Sequence, residues 1–278
     1  MEGGAGHMEE TRAGSPVAAV VPSLNPTRQL TSTVEGLLAA GFARVILVND
    51  GSRPETEEYF QELDRLPQVT LLTHPVNRGK GAAMKTAFTW LLEHWPDCPG
   101  VVTVDGDGQH HPEDALACAQ KMLAEERVIL GCRDFSRPEV PPRSRTGNRI
   151  TRGVFRVFCG MSLSDTQTGL RAVPRRYLEE LTAVAGDRYE YETNMLLALK
   201  QRRIPWGEMK IRTIYLEENR GSHFHPVRDS WKIYRLILAH FFRYTLSSVV
   251  SAVADTGLFG LLSALLAGVL AGAALTAA

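Results

Sequence analysis

Along the first half of the chain, short apolar runs alternate with stretches whose apolar residues recur at helical spacing. Val17–Val21, Val45–Val48, Val69–Leu72, Val101–Val104 and Val128–Leu130 read as strands. Gln29–Ala40, Pro54–Leu63, Gly79–His94 and Pro112–Glu125 fit helices between them. That order predicts βαβ units around a largely parallel sheet, an α/β fold. Each strand ends in polar or Gly-rich residues, and open sheets of this kind bind ligands beyond the carboxyl ends of their strands.

Past Arg133 the pattern changes. A Pro-rich loop (Pro138–Pro142) leads to a basic amphipathic helix (Arg149–Phe158), an extended run (Thr168–Val173), a helix around Glu190–Lys200 and a strand around Met209–Tyr215. A second amphipathic helix, Arg228–Tyr244, runs into an apolar tail. From Thr256 to Ala278 no residue is charged, and about twenty apolar residues suffice to cross a bilayer. A buried helix is the alternative. Arg228, Lys232, Arg235 and Arg243 precede the tail, so the positive-inside rule puts the large N-terminal part in the cytoplasm. The expected organisation is a disordered leader over 1–15, one α/β domain over 16–227, an interface helix over 228–244 and a transmembrane segment over 245–278. Self-association through that last segment is left open.

Composition narrows the class. A chain of 278 residues can bury a proper core without a disulfide framework. Cys98, Cys118, Cys132 and Cys159 form no C-x-x-C pair and read as reduced, mostly buried thiols. The 31 basic and 31 acidic residues balance, which leaves no argument for nucleic acid as a partner. The charge is nevertheless segregated: Arg143, Arg145, Arg149, Arg152 and Arg156 fall between Pro142 and Ser164 with no acidic residue among them. Arg149, Arg152 and Arg156 share one helical face, with Ile150, Val154, Val157 and Phe158 expected on the other, a design that suits the interface of an anionic leaflet.

The chemistry concentrates at two strand ends. Val101-Val102-Thr103-Val104 closes on Asp105-Gly106-Asp107-Gly108-Gln109, with two carboxylates one residue apart and glycines that let the backbone approach a ligand. Carboxylates are hard ligands for Mg²⁺ or Mn²⁺, ions that bridge protein carboxylates and substrate phosphates. Asp-Gly pairs are also ordinary turn formers. Val48-Asn49-Asp50-Gly51-Ser52 ends a second strand in the same way, and Asp50 could accept hydrogen bonds from a base or ribose or simply cap a helix. His110 and His111 are expected to shape the loop, and His94, His240, Tyr189, Tyr191 and Trp206 to be structural.

Val21-Pro22-Ser23-Leu24-Asn25, Val48-Asn49-Asp50-Gly51-Ser52, Asn77-Arg78-Gly79-Lys80-Gly81 and Asp105-Gly106-Asp107-Gly108-Gln109-His110 resemble, in order and spacing, the successive motifs of family 2 glycosyltransferases of the GT-A, Rossmann-like fold. Pro26 departs from an acidic residue common in the family. The resemblance implies that Pro22, Asp50, Lys80 and Asp105 bind the nucleotide sugar, and that Asp105, Asp107 and Gln109 hold a divalent metal, Mg²⁺ or Mn²⁺. Gly131-Cys132-Arg133, Ser144-Arg145-Thr146-Gly147-Asn148, Asp165-Thr166-Gln167-Thr168-Gly169-Leu170-Arg171 and Asn219-Arg220-Gly221-Ser222-His223 are similar to blocks of dolichyl-phosphate mannose synthases and polyprenyl-phosphate glucosyltransferases. This implies an acceptor-phosphate cradle of Arg133, Arg145, Arg220 and Ser222, with Asp107, Arg133 and Arg220 catalytic. His223 stands where a lysine is common. Phe242–Leu265 resembles the opening of a GtrA-like membrane domain.

The expected activity is transfer of one hexose from GDP-mannose or UDP-glucose to a polyprenyl phosphate at the cytoplasmic membrane face, with inversion. A transferase for polysaccharide or other acceptors and an inactive membrane scaffold are the alternatives. A processive synthase is disfavoured because Gln201-Arg202-Arg203-Ile204-Pro205-Trp206 does not form Q-x-x-R-W, and NAD-binding and P-loop readings lack their glycine motifs.

Overall fold

The computed structural model describes residues 15–137, 140, 142–212, 246, 248–260 and 262–263. Strands β1 (Ser15–Ser23), β2 (Phe42–Asn49), β3 (Val69–Thr73), β4 (Gly100–Thr103), β5 (Val128–Arg133), β6 (Arg171–Pro174) and β7 (Trp206–Ile211) form one seven-stranded sheet in the order β3-β2-β1-β4-β6-β5-β7. Helices α1 (Gln29–Ala40), α2 (Glu57–Asp64), α3 (Lys80–His94), α4 (Pro112–Glu125), α5 (Pro142–Cys159), α6 (Leu178–Thr182) and α7 (Glu190–Gln201) cover it on both faces.

The apolar runs are continuous because both faces of the sheet are buried. In β1, Val17, Ala19 and Val21 pack with Leu30, Val34, Phe60 and Met122 from α1, α2 and α4. Their alternates Ala18 and Val20 pack with Met84, Phe88, Phe155 and Tyr191 from α3, α5 and α7. All neighbouring strands run parallel except β6, which is antiparallel to both β4 and β5. This single reversal matters for function. It brings the segment leading into β6, Asp165–Leu170, to the edge where β4 and β5 end.

Several boundaries differ from the sequence reading. Pro142 opens α5 instead of closing a loop, since proline is preorganised for a first helical turn and that position needs no N–H donor. Strand β7 starts at Trp206 because it pairs with β5 from Val128 onward, a partner that no local pattern reveals. The short α6 is too brief to give a period.

Helix α5 also turns differently. Thr151 and Phe155 are buried and Val154 and Phe158 pack against the core, whereas Ile150 and Val157 are 53% and 74% exposed beside Arg149, Arg152 and Arg156. The four apolar residues expected on one face are therefore split between interior and surface.

Cys98, Cys118 and Cys132 are buried and Cys159 half-buried, all unbridged. Ser15, the last residue of the expected leader over 1–15, already stands in β1; residues 1–14, the interface helix 228–244 and most of the segment 245–278 lie outside the described residues, and among the described residues no helix is long and apolar enough to cross a membrane.

Phe155 is 1% exposed and packs into the core that α5 shares with the sheet. Phe155→Ala should cost about 3–5 kcal/mol through lost burial and the cavity left behind. The check is a lower urea midpoint with an unchanged m value; a shift below about 1 kcal/mol would mean that α5 is not docked through this residue.

Candidate active site

The carboxyl ends of β1, β2 and β4 form one edge, and their loops are cross-linked there. Pro22 is half-buried near the end of β1, paired with Val48 of β2 but past Val20, the last residue paired with β4. A missing ladder donor is tolerated at that point. Asn25, at a φ of 50°, donates its backbone N–H to the Ser52 hydroxyl oxygen at 2.9 Å and accepts the Arg53 N–H at 2.8 Å on its Oδ1. Loops β1–α1 and β2–α2 are thereby tied to each other.

Asp50, expected to reach a base or ribose, is 2% exposed. Its Oδ1 accepts the Arg78 N–H at 2.9 Å and lies 2.7 Å from His74 Nδ1, while its Oδ2 accepts the Gly79 N–H at 2.7 Å. Both oxygens thus hold the loop before α3. That loop ends in Gly79 at a φ of 107°, where a side chain would also strike the Asp187 carbonyl. Only glycine fits there.

The loop delivers Lys80, the first residue of α3. Its ammonium lies 2.7 Å from Asp105 Oδ1 and 3.0 Å from Glu192 Oε1. Burial disfavours the Lys80 charge, but Asp105 and Glu192 reverse that and hold its pKa above the ordinary lysine value. Burial likewise opposes ionisation of Asp105, and Lys80 with His110 outweighs it, keeping the carboxyl well below the usual range. His110 Nε2 is 3.7 Å from Asp105 Oδ2, and its buried Nδ1 has no hydrogen-bond partner among the described residues.

Asp107 is exposed, and Oδ1 accepts the Gln109 N–H at 3.1 Å. Partial desolvation and then the Asp105 charge push its carboxyl upward. A carboxylate whose ionisation its neighbour makes costlier is a fitting donor for a divalent cation, which removes the repulsion. Among the described residues no group of three or more His, Cys, Asp or Glu is assembled for a metal. A cation at Asp105 and Asp107 would complete its shell with water and substrate oxygens, the habit of Mg²⁺.

The segment before β6 closes the site from the other side. A side chain at Gly169 would collide with the Asp105 carboxylate, so glycine is what lets this segment lie against it. The Thr103 hydroxyl donates to the Gly169 carbonyl at 2.7 Å. Arg171, only 1% exposed, donates to the carbonyls of Thr168 at 3.2 Å and Glu192 at 2.8 Å, binding this segment to α7. Burial pulls its guanidinium below the ordinary arginine value, against the attraction of Glu192.

Arg133, at the end of β5, makes a two-pronged pair with the fully buried Asp165, Nε–Oδ2 at 2.7 Å and Nη2–Oδ1 at 3.1 Å. Two strand spacings, about 10 Å, separate β5 from β4. Arg145 is exposed and donates to the Arg137 carbonyl at 2.9 Å. Arg220 and Ser222 lie outside the described residues. The structure thus brings together Lys80, Asp105 and Asp107, with Asp50 behind them. It adds Glu192, Arg171, Asp165 and His110, which the sequence reading had not assigned to the site. His110, Asp165 and Arg171 lie within the motifs that carry the resemblance, but Glu192 reaches Lys80 from a helix far along the chain, and its local signal was an acidic residue in a first helical turn.

The glycosyl transferase family 2 model matches residues 18–182, which include every strand end described above except that of β7. The UDP-N-acetylglucosamine–dolichyl-phosphate N-acetylglucosaminyltransferase of Methanococcus voltae is 28% identical over 240 residues, 79% of this chain and 94% of that protein. Glycosyltransferase AglJ of Haloferax volcanii is 27% identical over 222 residues, 78% of this chain and 69% of that protein. Among solved structures, glucosyl-3-phosphoglycerate synthase from Mycobacterium tuberculosis, in complex with Mn²⁺, UDP and glucosyl-3-phosphoglycerate, matches with a TM-score of 0.61 at 15% identity, covering 82% of this chain and 78% of that one. That last likeness concerns the fold. The family match spans more than half of the chain and coincides with the edge that gathers the acidic and basic groups, and on that ground this protein belongs to the family 2 glycosyltransferases.

Proposed function

We propose that this glycosyltransferase moves a single sugar from a nucleotide sugar to a polyprenyl phosphate at the cytoplasmic face of a membrane. The observation that carries the reading is the charge arrangement at the end of β4: an exposed Asp107 beside an Asp105 that is locked by Lys80. A diphosphate needs cationic partners at such a point, and Lys80 supplies one directly.

Mg²⁺ or Mn²⁺ held by Asp107 and Asp105, with Gln109 alongside, would supply Lewis-acid stabilisation of the leaving diphosphate. Pro22 and the linked loops of Asn25 and Ser52 frame the nucleoside side, and Asp50 contributes through the loop it holds. An acceptor phosphate oxygen attacks the anomeric carbon as the bond to the nucleoside diphosphate breaks and its electron pair leaves with that group. One displacement inverts the centre. The acceptor is already an anion, so no general base is required. Arg133, oriented by Asp165, is the described candidate for steering that anion; Arg145, Arg220 and Ser222 complete the proposed cradle.

The dolichyl-phosphate acceptor in the name of the Methanococcus voltae relative supports a lipid phosphate acceptor, and its donor adds UDP-N-acetylglucosamine to GDP-mannose and UDP-glucose as candidates. The exposed outer face of α5, with Arg149, Ile150, Arg156 and Val157, supports placement against an anionic leaflet. The tail over 245–278, with its GtrA-like opening, is proposed as the membrane anchor.

Incubation with polyprenyl phosphate and these labelled donors should give lipid carrying one sugar; chain elongation or transfer only to soluble acceptors would overturn the acceptor assignment. Asp107→Ala should reduce transfer at least about a hundredfold with an unchanged melting temperature, and wild-type turnover in that variant would remove Asp107 from the metal site. Replacing Arg149 and Arg156 together by Glu should weaken binding to vesicles containing anionic lipid by about tenfold or more, with little change on zwitterionic ones. Equal binding to anionic vesicles would detach α5 from the membrane surface.

A further inference from the structure

The proposed chemistry leaves His74 without a task, although it is among the most deeply enclosed ionisable side chains of the protein, at 4% exposure. It directly follows β3, and its backbone N–H donates to the Asn49 carbonyl at 2.8 Å, extending the ladder to β2 by one bond. Nδ1 lies 2.7 Å from Asp50 Oδ1, and Nε2 lies 2.9 Å from Thr86 Oγ1 on α3. Asp50 as a carboxylate can only accept, so the ring proton sits on Nδ1, and in the neutral ring Nε2 accepts the Thr86 hydroxyl. The imidazole thus ties the end of β2 to α3.

Asp50 has a second duty. Its two oxygens accept the backbone N–H groups of Arg78 and Gly79, the last residues before Lys80. Those two bonds fix the loop only while the carboxylate itself is fixed, and His74 is its third donor. Gly79 sits at a φ of 107°, so the chain reverses its backbone sense one residue before the lysine. A small rotation there would swing the Lys80 ammonium away from Asp105 and Glu192.

We infer that His74 is a positioning residue of the donor site: through Asp50 it holds residues 77–79, and with them the start of α3, in the geometry that presents Lys80 to the donor diphosphate. The inference rests on the nucleotide-sugar reading for its consequence. Its mechanical part, that His74 sets the order of the loop, stands independently of which ligand binds.

The test compares His74→Gln, His74→Asn and the wild type. An Asn amide N–H can stand in for Nδ1–H toward Asp50, whereas Gln keeps its reach toward Thr86 and loses the Asp50 donor. Titration with UDP, GDP and ADP in the presence of Mn²⁺ identifies the tightest nucleoside diphosphate for the wild type. His74→Gln should weaken that nucleotide, and raise the donor KM, by about tenfold, the size expected for one lost hydrogen bond to a charged group, with kcat at saturating donor within about twofold. His74→Asn should restore most of the affinity. Deuterium exchange of the free protein should show faster exchange over residues 75–82 in the Gln variant and near-wild-type exchange in the Asn variant. Unchanged affinity and exchange in His74→Gln, or a fall in kcat with KM unaltered, would overturn the inference. If the wild type binds none of the three nucleotides, the donor reading fails, and the exchange over 75–82 still decides whether His74 orders the loop.

Discussion

An ammonium held between two carboxylates, Lys80 between Asp105 and Glu192, is the contact around which this site is built. Each partner comes from a different part of the chain: the start of α3, the end of β4 and the first turn of α7. The three meet in a partly enclosed edge where water screens them less than on an open surface. Without the lysine, Asp105 would face Glu192 and Asp107 with no cation among the side chains that hold it directly. A region of concentrated negative charge would then have to accept a negatively charged diphosphate. The lysine offsets part of that charge, and Asp107 beside it stays exposed.

The reversal of β6 is the architectural counterpart of that contact. Were the sheet parallel throughout, the segment before its sixth strand would enter from the opposite edge. Being antiparallel, β6 starts where β4 and β5 end. Its entry segment therefore supplies Asp165 to orient Arg133, Gly169 to lie against Asp105, and the buried Arg171 to join this segment to α7. Buried charge is costly unless it is paired and hydrogen-bonded. The guanidinium is hydrogen-bonded by two backbone carbonyls and attracted by the nearby Glu192 carboxylate, and those bonds join the segment before β6 to α7.

The same logic separates side chains that act from side chains that hold. Asp50 and Arg133 carry the charges expected at a ligand site, yet both are bound by protein groups: Asp50 by two amides and an imidazole, Arg133 by a buried carboxylate. Asp50 acts through the loop it positions, whereas Asp165 orients Arg133 itself. Helix α5 gives a parallel case, because its apolar residues divide between the core and the surface according to where Phe155 finds its pocket.

Local pattern and motif order were enough for the α/β class, the first five strands, the helices between them, the D-x-D strand end and the family. These are decided by periodicity and by short-range spacing, which a linear sequence carries directly. The antiparallel insertion of β6, the inward turn of Asp50, the Asp165 grip on Arg133 and the arrival of Glu192 at Lys80 were decided only by tertiary structure. Each depends on which distant segment pairs or packs with which, and one residue of rotation in a helix, or one reversal of strand direction, sends the same side chain to the core, the surface or the site.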